Sequence, residues 1–248
     1  RDGKISKENC DAIRFFQDNG GLFSLATGRG YDHSKFFLPD FRSNTHSICL
    51  NGSEICEFGT GRPLVSVPMC DTDRLMIDLR TIALGNPSVE EVYFKYHDEE
   101  ICIGRDELFL PFDDRRIVSL RTIPVNCCTV VCEGLTKEYV RRQNLLFGGR
   151  YSFTRSWEGG FEMCSNASGK GRMLRILRTI CGTPIHTTVA AGDFDNDVQM
   201  IEMADLGFAV ENAEIEVKNA AYAIAPHHGD NAIAAIISHL KYIHAPVH

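Results

Sequence analysis

The chain alternates short apolar runs with stretches in which apolar residues recur at the spacing of a helix. Five runs have the length of a strand and end in polar or glycine-containing loops: residues 22–26, 47–50, 187–191, 206–210 and 222–225. Buried apolar strands separated by amphipathic helices are typical of a parallel sheet. We therefore predict an α/β fold, with a Rossmann-like parallel-sheet core that has helices on both faces. Ligands bind such sheets beyond the carboxyl ends of the strands.

The helices are predicted from the same pattern. Near the start, Ser6 is a candidate N-cap, and Cys10, Ile13 and Phe16 share an apolar face that ends before Asn19. In the last third of the chain, helical spacing accompanies the strands in three places: residues 198–204, 215–217 and 233–240.

The middle of the chain has a different pattern. Strand-like stretches cluster there with fewer helices between them: strands at 92–96, 100–103, 125–132, 150–154 and 160–163, and helices at 72–84 and 137–146. Such clustering is typical of an α+β unit. We predict a discontinuous core of residues 1–67 and 165–248, interrupted by an inserted cap of residues 68–164.

Composition narrows the class of protein. The chain has 248 residues, of which 44% are hydrophobic and 24% charged, as in ordinary globular proteins. No apolar run approaches the ~18 residues of a membrane span. A net charge of −7 without long blocks of one sign argues against nucleic-acid and anionic-membrane partners. The first residues lack the apolar segment of a secretory signal, so we expect a cytoplasmic protein and leave its oligomeric state open.

The ten cysteines are dispersed, and no C-x-x-C occurs. The one cluster, Cys127, Cys128 and Cys132, lies in a strand-like run and matches no common zinc spacing. A chain of this length needs no disulfides to fold. We expect reduced, mostly buried thiols.

Three carboxylates follow the strand at 187–191, in the run Gly-Asp-Phe-Asp-Asn-Asp of residues 192–197. Close carboxylates repel one another by about 1 kcal/mol per pair even at surface dielectric, and a hard, oxygen-seeking cation relieves that repulsion. The simpler alternative, that Asp195 and Asp197 begin the next helix, leaves Asp193 at the strand end unexplained. We predict a metal site here.

Two further segments could bind an anion. Thr27, Gly28 and Arg29 follow the strand at 22–26, where a hydroxyl and backbone N–H groups can hold a phosphate. Lys170 opens a helix, where the helix dipole disfavours a cation, and this position suits a lysine that faces an anionic ligand. Each segment alone is a weak indication, because an ordinary turn or a solvated lysine would explain it.

Two well-known motifs are rejected. The acidic run imitates an EF-hand loop, but Val198 stands where that loop needs glycine and Ala204 where it needs glutamate. The glycine and lysine at 169–170 imitate a Walker ATP-binding loop. That loop would need glycine in place of Cys164 and Ser or Thr in place of Gly171.

Taken together and in order, these segments resemble the haloacid dehalogenase (HAD) superfamily of phosphatases, specifically the Cof-type branch with a large α/β cap. The matching segments are residues 5–6, 24–29, 51–52, 162–163, 169–171, 192–200 and 206–220. They cover both core parts almost completely, while the cap matches mainly in position and length. The resemblance implies a Mg²⁺-dependent phosphatase that hydrolyses small phosphorylated metabolites, such as sugar phosphates, through an aspartyl-phosphate.

The resemblance also implies roles for single residues. Thr27, Lys170 and Asp193 match the family's catalytic positions for the phosphate-binding hydroxyl, the charge-offsetting lysine and the metal-binding carboxylate. The implied metal ligands are Asp193, Asn196 and Asp197. The implied phosphate and substrate contacts are Thr27, Gly28, Arg29, Asn51, Gly52, Lys170 and Asn196. Asp195 takes a variable position and is expected to cap the next helix.

The family's first motif, D-x-D-G-[TV], carries the nucleophile and the general acid, and no segment of the sequence matches it. Asp2 and Gly3 match its second half. In the family, however, a linker of several residues separates the motif from the helix start, which here stands at residues 5–6. We expect the nucleophilic aspartate upstream of residue 1. Two alternatives stay open: a catalytically inactive phosphate- or metal-binding relative, and a phosphomutase or phosphotransferase on the same core.

Overall fold

A computed structural model describes residues 5–37, 43–182 and 185–243. Helix α1 (Lys7–Asp18) begins after Ser6, whose hydroxyl oxygen accepts a hydrogen bond from the backbone N–H of Asn9 at 3.2 Å. The helix ends at Asn19, so its predicted start, N-cap and end are confirmed. A short helix that the pattern did not predict, α2 (Tyr31–Phe37), follows.

The first strands lie between residues 47 and 66. Strands β1 (Ser47–Cys49), β2 (Glu54–Cys56) and β3 (Pro63–Ser66) form an antiparallel sheet. The segment predicted as a strand at 22–26 makes one parallel bridge, between Ala26 and Ile48 of β1. It does not extend further, because the backbone N–H and carbonyl of Phe23 bond to Asn44 rather than to a strand.

The inserted cap follows. Its elements are α3 (Thr72–Gly85), β4 (Val89–Tyr96), β5 (Glu99–Gly104), α4 (Arg115–Leu120), β6 (Cys127–Cys132), α5 (Lys137–Phe147), β7 (Tyr151–Trp157) and β8 (Gly160–Ser165). The five strands form one antiparallel sheet in the order β5-β4-β6-β8-β7. One sheet face packs on α3 in a single hydrophobic core that includes Leu79, Phe94 and Phe161. The strands and helices predicted for the middle of the chain are present, with α4 in addition.

The last third returns to alternating helices and strands. Its elements are α6 (Lys170–Ile180), β9 (Val189–Gly192), α7 (Val198–Met203), β10 (Leu206–Val210), α8 (Ile215–Ala220), β11 (Ala223–Ala225) and α9 (Ala232–Ile243). The strands form a parallel sheet in the order β11-β10-β9, as predicted. Helices α7, α8 and α9 pack against β10, while α6 packs on β1 and β2 through Met173 and Leu177. The predicted fold class, an α/β core with an inserted α+β cap, is confirmed.

Two smaller expectations also concern the whole chain. Six of the ten cysteines are buried, in agreement with the prediction of mostly buried thiols. Among the helices in the described ranges, none combines the length and the apolar composition that a membrane crossing needs.

Candidate active site

A buried ion pair lies at the centre of the candidate site. Nζ of Lys170, the first residue of α6, donates to Oδ1 of Asp197 at 2.7 Å. The two residues are only 6% and 5% exposed. Lys170 is therefore not a solvated surface lysine, and its position at a helix start is stabilised by the carboxylate.

Asp197 also fixes the backbone at the end of β9. Its Oδ2 accepts hydrogen bonds from the backbone N–H groups of Asp193 at 3.0 Å and Phe194 at 3.3 Å. Gly192 makes this approach possible, because a Cβ at that position would occupy the space of the Asp197 side chain. One carboxylate thus holds both the lysine and the loop that carries Asp193.

Asp193 is a candidate ligand for a cation. Burial, and then the neighbouring charge of Asp197, raise the pKa of the Asp193 carboxyl, while Lys170 and His228 oppose that rise. A further positive charge would favour the ionised carboxylate. Both oxygens of Asp197 already accept hydrogen bonds. Within the described ranges, no three His, Cys, Asp or Glu residues form a metal-binding group. The donor chemistry of Asp193 fits a hard cation, as part of a ligand set.

The predicted anion-binding segment lies beside β1. The backbone N–H of Thr27 donates to the carbonyl of Ile48 at 2.9 Å, and the Thr27 carbonyl accepts from the N–H of Asn51 at 3.0 Å. The Thr27 hydroxyl oxygen accepts from the N–H of Arg29 at 3.1 Å, which orients it within its own turn. Arg29 itself is exposed at the margin of the site.

A 3-10 turn at Leu50–Gly52 lies between this segment and the start of α6. Gly52 has a φ of 81°, and a Cβ there would collide with the backbone of Gly169. The Gly52 carbonyl accepts from the N–H of Gly169 at 3.1 Å, one residue before Lys170. Gly52 is therefore required for the close approach of two loops, rather than for contact with a ligand through a side chain.

Asn51 joins the core loops to the cap. Its Oδ1 accepts from Nδ2 of Asn196 at 2.9 Å, and its own Nδ2 donates to Oε2 of Glu162 on β8. Asn51 has a φ of 54°, an uncommon value outside glycine that asparagine tolerates better than most residues. The hydrogen bonds of Asn51 bring the acidic run and a cap carboxylate to the same place.

Glu162 lies in a segment that resembles the family, at residues 162–163, but it is not one of the predicted site residues. It is 4% exposed. A Cβ placed on Gly28 would lie 3.1 Å from its Oε1, so the carboxylate adjoins the predicted anion-binding turn. The sequence does contain a signal that could identify Glu162: a charged residue stands between Phe161 and Met163. A buried apolar strand tolerates such a charge only when the charge has a partner.

The contacts above join these predicted site residues: Thr27, Gly28, Asn51, Gly52, Lys170, Asp193, Asn196 and Asp197. Arg29 joins them through its backbone N–H alone, and its side chain is exposed. Asp195 differs from expectation. Helix α7 begins at Val198 with Asp197 as its N-cap residue and without a side-chain cap, so the prediction that Asp195 caps it is wrong. Asp195 lies in the preceding 3-10 turn, where Lys137 and Arg155 of the cap oppose the rise in its pKa that burial causes.

A parallel α/β core with a cap inserted above a buried lysine–carboxylate pair defines a capped enzyme of the HAD type. A family model of haloacid dehalogenase-like hydrolases matches residues 1–237. The chain belongs to this family, which confirms the resemblance drawn from the ordered segments. It is a hydrolase whose relatives are named as phosphatases, and HAD phosphatases generally use a divalent metal ion.

Three relatives illustrate the similarity. The 5-amino-6-(5-phospho-D-ribitylamino)uracil phosphatase YitU of Bacillus subtilis (strain 168) is 22% identical over 249 residues, which are 95% of this chain and 91% of that protein. The HMP-PP phosphatase of Yersinia pestis (strain Pestoides F) is 23% identical over 227 residues, 88% and 81% of the two chains. The solved structure of the HAD subclass IIB sugar phosphatase BT4131 superposes with a TM-score of 0.74 at 15% identity. The superposition covers 96% of this chain and 92% of that chain.

Proposed function

We propose that the protein is a Mg²⁺-dependent phosphatase that hydrolyses small phosphorylated metabolites, of the sugar-phosphate type, through an aspartyl-phosphate. The observation that carries the proposal is a network of hydrogen bonds. It joins Thr27 to Asn51, Asn51 to Asn196, and Asp197 to Lys170 and to the backbone N–H of Asp193. The activities named for the relatives support it, since each acts on a phosphorylated compound or is called a sugar phosphatase.

The residues of this chain would act mainly by position and charge, as phosphoryl transfer requires. The Thr27 hydroxyl and the backbone N–H of Gly28 would hold phosphoryl oxygens. Lys170 would offset their negative charge, and Asp197 keeps its ammonium group in place. Asn51 and Gly52 would adjoin the substrate beneath the cap, with Arg29 at the margin.

A divalent cation, when bound, supplies a Lewis-acidic charge that polarises a phosphoryl oxygen. Asp193 would hold it through its carboxylate, with Asn196 close by. Asp197 would act through Lys170 and through the backbone N–H groups that it orients.

An aspartyl-phosphate requires a nucleophilic aspartate, which the family carries in its D-x-D-G-[TV] motif, so the proposal is tested with the full-length product. We further propose the unit boundaries 1–67, 68–164 and 165–248, with the middle unit acting as a lid. A lid that excludes water until the substrate binds would strengthen the electrostatic contacts of the phosphoryl group.

The test is hydrolysis of 4-nitrophenyl phosphate with Mg²⁺ and after chelation by EDTA. We expect activity that requires Mg²⁺ and that Asp193→Ala abolishes. Lys170→Ala should lower kcat about a hundredfold or more, equivalent to about 2.7 kcal/mol of transition-state stabilisation.

Asp18→Ala and Lys7→Ala are the matched controls for the aspartate and the lysine variant. Both change exposed residues of α1. Activity that is indifferent to Mg²⁺, or an Asp193→Ala variant with full activity, would refute the metal assignment. A folded full-length protein without any hydrolysis would favour the inactive-relative alternative. Transfer of phosphate to an added alcohol in place of water would favour the phosphotransferase.

A further inference from the structure

The cap sheet has two different faces. One is the apolar face that packs in the cap core. The other has a polar row that crosses four strands, because its members are directly paired: Tyr93 with Thr129, Thr129 with Glu162, and Glu162 with Thr154. Directly paired residues project from the same face of a sheet. We call these four residues the polar row.

The polar row faces the candidate active site. Its third member, Glu162, accepts a hydrogen bond from Asn51 and lies against Gly28. On the next row of the same face, Cys127 and Cys164 pack against Leu50, the residue before Asn51. Two neighbouring rows of the cap sheet therefore contact the same core turn, and Glu162 is the member nearest to the predicted anion-binding residues.

Thr129 provides an independent observation. It is 6% exposed, and its Oγ1 is a buried polar atom without a hydrogen-bond partner among the described residues. A buried hydroxyl without a partner costs about 1–3 kcal/mol, so the fold gains nothing from it. A threonine in this position is explained if a ligand supplies the partner.

We propose that Glu162 and Thr129 bind hydroxyl groups of the substrate's leaving group, and so select phosphate esters of polyhydroxylated alcohols. This rests on the proposed phosphatase activity. A carboxylate next to a phosphate site repels a second phosphate, but it accepts hydrogen bonds from alcohols, and the Thr129 hydroxyl can both donate and accept. Asn51 holds Oε2 of Glu162, which fixes the orientation of Oε1 towards the turn at Gly28.

Two variants separate recognition from structural support. Thr129→Val keeps the shape and removes a hydroxyl that no described residue uses, so stability should be unchanged or higher. Glu162→Gln keeps an acceptor for Asn51 and removes the charge. Glu90→Gln on the same sheet and Thr179→Val on α6 change exposed residues, and they serve as controls.

The full-length protein is assayed on ribose 5-phosphate and glucose 6-phosphate, and on 4-nitrophenyl phosphate, whose leaving group has no other hydroxyl. Glu162→Gln should lower kcat/KM for the sugar phosphates about tenfold, and Thr129→Val about fivefold. Both variants should stay within about twofold of the parent on the aryl ester. The sugar phosphates should also exceed fructose 1,6-bisphosphate as substrates of the parent protein.

Equal losses on sugar and aryl esters would show that these residues only support the core loops, and would overturn the inference. Unchanged activity on all esters would overturn it as well, as would a preference for the bisphosphate. A parent protein that cleaves the aryl ester but no sugar phosphate leaves the proposed phosphatase standing and refutes the hydroxyl site. A parent protein that cleaves none of them refutes the phosphatase first, and the hydroxyl site falls with it.

Discussion

The Lys170–Asp197 pair allows a stability prediction that does not depend on catalysis. Asp197 accepts from Lys170 through Oδ1 and from the backbone N–H groups of Asp193 and Phe194 through Oδ2. Among the described residues, the ion pair of Lys170 is the one with Asp197, at 2.7 Å. The two residues therefore differ in what remains when the other is removed.

Asp197→Ala removes the partner of a buried ammonium group, a change that costs about 3–5 kcal/mol of unfolding free energy. It also leaves two backbone N–H groups without their acceptor, although water entry would offset part of that cost. Lys170→Met leaves the carboxylate with its two N–H donors, so its charge stays partly compensated. We expect Lys170→Met to cost about 1–3 kcal/mol, clearly less than Asp197→Ala.

The assay is urea unfolding followed by far-UV circular dichroism, with EDTA present so that no metal contributes. The double variant completes a thermodynamic cycle, and a coupling of about 1–3 kcal/mol is expected for residues in direct contact. Asp18→Ala controls for the loss of an exposed carboxylate. Equal losses for the two single variants, or a loss below about 1 kcal/mol for Asp197→Ala, would refute the asymmetric role of Asp197.

Three further predictions concern other parts of the fold. Gly52→Ala should lower the Tm several times more than Gly59→Ala does. Both glycines have positive φ, but of the two only Gly52 lies against another backbone segment. Equal decreases in Tm would contradict this. Burial raises the pKa of Cys132 to about 11. At pH 8 only about one Cys132 side chain in a thousand is then a thiolate, the form that reacts with thiol reagents. Peptide mapping should therefore find Cys132 unmodified in the native protein. Lys137→Ala removes two ion pairs between cap and core, one partly buried and one exposed. The change should cost less than about 1 kcal/mol, and the loss should shrink at high salt.

Much of the fold follows from local patterns. The run at 206–210 is β10 itself, and the helix start at Ser6 has the predicted cap. The segment at 22–26 is apolar enough for a strand but makes only one bridge. Strand length depends on which backbone lies alongside, and the apolar pattern alone does not contain that information.

The site was predictable to the extent that its residues follow strand ends or open helices. Thr27 and Asp193 could be chosen from the sequence because parallel topology brings strand ends to one edge of a sheet, and Lys170 because the helix dipole disfavours a cation at a helix start. Asp195 was misassigned, because a 3-10 turn at 195–197 delays the helix by one turn. The same residues are compatible with a helix that begins at either position, so the sequence pattern does not reveal the 3-10 turn.

Glu162 shows why the cap side of the site could not be predicted in the same way. In β8, Phe161 and Met163 face the cap core, and alternation alone assigns Glu162 to the opposite face, which on an ordinary antiparallel sheet is solvated. Here that face covers the core loops, and Glu162 meets Asn51, which lies 111 positions away in the sequence. The hydrogen bond from the Asn51 amide stabilises a carboxylate in this buried place. If the hydroxyl site is correct, specificity resides in the docking of two units, and substituting Thr129 should change substrate choice while leaving the stability of the fold unharmed.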